Sequence, residues 1–93
     1  MHDTLRVTEV RFAPAPDHLV CSGLIGWSSF VLDGRLRVAG VAVRRTERGR
    51  PCLSYPVRDE GVGRRFEYFK PIDDATRRDI ERQVLEQLGE VVS

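Results

Sequence analysis

The residues of this chain best suited to chemistry are its arginines, and they are crowded. Arg44, Arg45, Arg48 and Arg50 flank TERG at residues 46–49, and Arg58, Arg64 and Arg65 flank the stretch around Gly61 and Gly63. A guanidinium forms paired hydrogen bonds to phosphate oxygens, and neutralising a nucleic-acid phosphate releases condensed counterions. A loop that merely joins two strands needs no such density of charge. The formal net charge of +1 conceals a segregation. Residues 35–70 carry nine arginines and Lys70 against four acids, a local charge of +6, whereas residues 1–34 sum to −2 and residues 71–93 to −3. Local charge steers a polyanion; the total does not. Tyr55, Phe66, Tyr68 and Phe69 are interleaved with these arginines, and wherever they are exposed their rings can stack on bases, most usefully on single strands.

Other chemistries lack their residues. His2 and His18 fall in a terminus and a loop, with no nucleophile nearby in sequence. There is no GxSxG, no phosphate-cradling GxxxxGK[ST] and no GxGxxG, and Gly61-Val62-Gly63 is only a glycine pair. Asp73-Asp74 stands where a helix begins and suits capping better than metal or acid–base work. Cys21 and Cys52 are far apart in apolar contexts, which predicts two buried, reduced thiols rather than metal ligands. The expectation is therefore no enzyme, no cofactor, no metal and no small-molecule substrate.

A chain of 93 residues, 41% hydrophobic and 31% charged, fits one globular domain with a modest core. No apolar run approaches the ~18–20 residues that span a bilayer. MHDTLRVTEV is too polar for a signal peptide, so the expected location is the cytoplasm.

The elements that must position the arginines follow from period and punctuation. LRVTEVRF (5–12) reads as a strand, broken by APAP (13–16). LVCSGLIGWSSFVL (19–32) is a long apolar run whose glycines predict a bend or bulge. Asp33-Gly34 between two apolar runs signals a hairpin. In RLRVAGVAVRR (35–45), Leu36 and Val38 have the opposite parity to Val41 and Val43, so one extra residue near Ala39-Gly40 is needed to turn all four inward. Arg35, Arg37, Ala42 and Arg44 then face outward, giving a row of arginines on one sheet face. TERG is a second turn, and PCLSYPV (51–57) a short strand whose two prolines favour an edge or an end. RDEGVG (58–63) reads as a flexible loop and RRFEYFK (64–70) as the last strand. A helix over about 73–88 has Ile80, Val84, Leu85 and Leu88 on one face and Gly89 as its stop. The fold class is α+β: an antiparallel meander of about five strands with one C-terminal helix on the sheet. One helix cannot cover five strands carrying Trp27, Phe30, Tyr55, Phe66, Tyr68 and Phe69, so those aromatics are expected to bury, with a second subunit as cover in preference to a sheet curled on itself.

Several short motifs, in order, resemble the SpoVG family, the bacterial septation and stage V sporulation protein G group. VTEVR (7–11) is similar to its opening strand, FVLDGRLRVAGVAV (30–43) to its central hairpin, GRPCLSYPVR (49–58) to a segment ending in Pro and a basic residue, and FKPID (69–73) with the following helix to its close. The resemblance implies a small α+β homodimer that regulates by binding DNA and, in some cases, RNA. It places nucleic-acid contacts on Arg58, with Arg64 and Arg65 as neighbours. Here Asp59 and Glu60 follow Arg58, where the family carries a second base, and the arginine pair comes only after Gly63.

Two other classes compete. Exposed aromatics and an edge strand would suit a protein-interaction or scaffolding module linked to cell division or septation, without nucleic-acid binding. A deep arginine-lined pocket would point instead to an enzyme acting on a small phosphorylated ligand.

Overall fold

Parity in the central hairpin decides which side chains become core. The computed structural model describes residues 5–89, so His2 and the first polar residues lie outside it. β1 (Val7–Pro14), β2 (Leu24–Leu32), β3 (Leu36–Arg45) and β4 (Pro51–Ser54) pair in sequence order as a four-stranded antiparallel sheet. Ser28 opposes Val41 and Phe30 opposes Val38, so Ala39 and Gly40 together face Ser29 alone. This is the bulge that the parity break demands, and Gly40 supports it with φ +75°. Val38, Val41 and Val43 are all buried as expected. Leu36 is not: it shares their face but remains 59% exposed, because the face is uncovered at that end.

The hairpin at Asp33-Gly34 has positive φ at both residues, with Arg35 N–H donating to Leu32 O at 3.0 Å. β2 is bulged where its glycines predict it, between Leu24 and Gly26. Gly26 is required by crowding: a Cβ there would lie 2.4 Å from Ala13 O and 2.5 Å from the Phe12 ring. The run that begins at Leu19 is not strand throughout. Asp17–Val20 forms a single helical turn, α1, and Gly23 at φ +95° turns the chain into β2. Pro16 and Asp17 start that turn, and Leu19 O and Val20 O accept its closing amides.

The five-stranded meander does not persist past Pro56. β5 (Val57–Gly61) and β6 (Arg64–Glu67) form a separate two-stranded ribbon. Pro56 lacks the N–H that would carry β4 onward in the first sheet. The stretch expected to be a loop is thus mostly strand, closed by Val62-Gly63, and among the described residues six strands replace about five. The last strand ends at Glu67 rather than Lys70.

α2 (Asp74–Leu88) lies on the inner face of the larger sheet, burying Ile80, Val84 and Leu88, with Leu85 partly buried beside them. Asp73 caps it, its carboxylate accepting Thr76 N–H at 2.7 Å, and that bond holds the Asp73 carboxyl below its ordinary pKa. Gly89 follows with positive φ, its N–H donating to Leu85 O. The core is Val7, Phe30, Val38, Val41, Val43, Ile80, Val84 and Leu88, each worth about 1.5–3 kcal/mol when buried.

α2 also satisfies both sheet edges. The Gln83 side chain accepts Val7 N–H at 2.9 Å and donates to Leu5 O at 2.6 Å. Gln87 donates to Val7 O at 2.7 Å, and Glu81 accepts Leu53 N–H at 3.2 Å. Strand-edge groups otherwise open to another chain are occupied there. No helix among the described residues is long and apolar enough to cross a membrane.

Candidate nucleic-acid interface

The larger sheet and the ribbon divide the seven candidate arginines into two groups. β3 runs from the Asp33-Gly34 hairpin to the 46–49 turn, and β4 returns. Arg44, Arg45, Arg48 and Arg50 therefore gather at one end of the sheet. The ribbon leaves β4 at the other end and carries Arg58, Arg64 and Arg65. The exposed Arg35 and Arg37 lie at the start of β3, toward the ribbon end.

The 46–49 turn is internally tied. Gly49 N–H donates to Thr46 O at 2.8 Å, Arg50 N–H to Thr46 Oγ1 at 3.1 Å, and Arg45 Nη1 to Gly49 O at 3.0 Å. These bonds fix the backbone and leave Arg44, Arg48 and Arg50 exposed, with no ion pair to any described residue. Cys52, across the ladder from Arg44, is half-buried, and burial pushes its thiol pKa up. Cys21 departs from the buried thiol expected: it is free and exposed, because the apolar run around it is a surface turn rather than a strand.

The ribbon pairs Arg58 with Phe66, Asp59 with Arg65 and Gly61 with Arg64. The Arg58 guanidinium lies 5.2 Å from the Phe66 ring centroid, while its Nη2 is 3.3 Å from Glu60 Oε1. Glu60, which follows Arg58 closely, thus takes part of its charge. Arg64 and Arg65 are exposed and make no ion pair with any described residue. Phe66 and Tyr68 meet edge to face, centroids 5.5 Å apart at 78°, and remain 47% and 54% exposed. Within one chain these rings are not covered, so their burial would fall to a second subunit. Only Phe30 is fully enclosed, and Trp27 and Phe69 are each 37% exposed. Among the described residues no second layer packs over the ribbon's rings.

Sequence reasoning missed a cavity of about 490 Å³ between the root of the ribbon and the start of α2. Leu36, Val38, Tyr55, Phe69, Ile72 and Ile80 line it. Its lining is mostly apolar, with Arg37, Lys70 and Thr76 also contributing. The signal was present in the inward parity of Leu36, which has no helix above it. Among the described residues, no three His, Cys, Asp or Glu gather as metal ligands would.

The arrangement offers two exposed guanidinium clusters and one open pair of aromatic rings. Compared with known proteins, the chain matches no family model and no curated protein.

Proposed function

We propose that this is a nucleic-acid-binding regulatory protein of the cytoplasm, acting on DNA or RNA as a homodimer through its arginine-rich sheet end and ribbon. The observation that carries the reading is the state of the arginines. Arg44, Arg48, Arg50, Arg64 and Arg65 are exposed, with no ion pair to a carboxylate among the described residues. An unpaired surface guanidinium is free to exchange its counterions for phosphate. The resemblance to the SpoVG family supports the same reading and its dimer. The binding is non-catalytic and needs no cofactor.

The test is a salt series on random duplex DNA and on RNA, beside a measurement of mass in solution. On duplex DNA, log K falls against log salt with a slope near −0.9 per phosphate contacted. Changing Arg58, Arg64 and Arg65 together to Ala should weaken binding and flatten the slope by roughly 2–3. Parent-like binding by that triple variant would remove the ribbon from the site.

A second reading has its own support. Leu36, Phe69 and Ile72 are exposed around the apolar cavity, a surface that suits a protein partner of a scaffolding module linked to septation. That reading requires a partner retained after nuclease treatment and in moderate salt.

A further inference from the structure

The ribbon combines three features that a duplex phosphate backbone does not call for. Phe66 and Tyr68 hold about half of their surface in water. Arg58 lies against Phe66 with its guanidinium 5.2 Å from the ring centroid, so a cationic plane extends the aromatic pair. Arg64, two residues before Phe66 on β6, shares its face and is exposed, while Arg65 is exposed on the ribbon's other face, opposite Asp59. Rings and guanidinium planes both stack on bases, and they do so whatever the base. In a duplex the bases are already stacked and paired, and reaching them means unstacking the helix.

We infer that the ribbon takes single-stranded nucleic acid in preference to duplex, with Phe66 and Tyr68 stacking on unpaired bases, Arg64 on their face holding the neighbouring phosphate, and Arg65 adding positive charge from the ribbon's other face. This rests on the nucleic-acid reading above and adds the class of strand. Charge complementarity selects this occupant over an apolar protein segment: a greasy partner has no use for an unpaired arginine on the face of the rings and a second on the ribbon behind them. Arg58 serves as a stacking plane more than as a phosphate ligand, because Glu60 already occupies part of its hydrogen-bonding capacity.

The test uses the full chain and three labelled probes read by fluorescence anisotropy: a single strand of about 15 nucleotides, its duplex, and an abasic strand of equal length. The parent should bind the single strand about tenfold or more tighter than either other probe. Changing Phe66 and Tyr68 together to Leu should erase that preference and leave the salt slope unchanged. Changing Arg64 and Arg65 together to Ala should weaken all three probes and flatten the slope. Should the Leu pair fail to fold, Phe66→Trp gives a second readout: its added indole emission should be quenched by the single strand and not by the abasic one. Equal binding of all three probes with the slope intact overturns the stacking inference and leaves phosphate binding standing. No binding of any probe at low salt overturns the underlying reading as well. If the Leu pair changes the mass in solution but not the preference, the rings belong to a subunit contact and the inference fails.

Discussion

Tyr55 shows how one atom can work against its surroundings. Its ring packs edge to face on Phe69 at 5.9 Å and against the core, yet its hydroxyl is buried with no hydrogen-bond partner. Burial, and then the Glu81 carboxylate, push its pKa up to about 12. A buried unsatisfied hydroxyl costs about 1–3 kcal/mol, so Tyr55→Phe should stabilise the fold by about 1 kcal/mol at neutral pH in urea melts. The unfolded tyrosine titrates near pH ~10. Between that value and about 12 the folded protein keeps a proton that the unfolded chain has released, so stability falls as pH rises. The Phe variant should lose that part of the alkaline decline; a variant less stable than the parent at pH 7 would mean that the hydroxyl is satisfied. Side chains governed by their own segment were legible in the sequence. Asp73 caps α2, and Gly89 ends it, because both roles depend on local backbone alone. Exposure of Cys21, Phe66 and Tyr68 depended on which elements found a covering layer, and no local pattern carries that.

The bulge at Ala39-Gly40 was readable because a period-two pattern cannot change parity without an extra residue. The ribbon was not. Asp59, Glu60 and Gly61 are poor strand formers, and the sequence signal there is that of a loop. Ladder pairing with β6, and the Asp59 carboxylate accepting Gly61 N–H at 2.9 Å, overrule the propensity. The two features share one backbone requirement and meet it with opposite success. Gly40 adopts φ +75° without penalty, and a Cβ there would meet nothing within 4 Å. Gly40→Ala should therefore cost roughly 1–2 kcal/mol from backbone conformation alone. Val62 is β-branched and sits at φ +46° in the ribbon turn, where such a side chain is strained. Val62→Asn should gain on the order of 1 kcal/mol for the ribbon, seen as slower exchange of its amides. If either substitution moves in the other direction, the register assigned to its hairpin is wrong.

In the assembled fold the helix and the larger sheet share one core, and the ribbon stands outside it. β5 and β6 contact each other and little else, and the return to the sheet is held by a long bond from Tyr68 N–H to Pro56 O at 3.4 Å and by the Tyr55–Phe69 ring contact. The fold class was legible because helix and strand periods separate cleanly along the chain. The division into two sheets was not, since it turns on what Pro56 prevents rather than on any pattern it creates. Phe30 is the largest side chain wholly inside the shared core, and Phe30→Ala should cost about 3–5 kcal/mol in a denaturant melt, while leaving Arg64 and Arg65 as exposed as before. A loss below about 1 kcal/mol would place the centre of the core elsewhere.

The ribbon's detachment gives it a clock of its own. An arm that opens without disturbing the main body exchanges its amide hydrogens at a rate set by its few local bonds, not by global unfolding. A molecule that grips the arm must slow that clock before it slows any other. Deuterium uptake at residues 57–67, followed with and without a candidate ligand, would thus identify the bound surface without a single substitution.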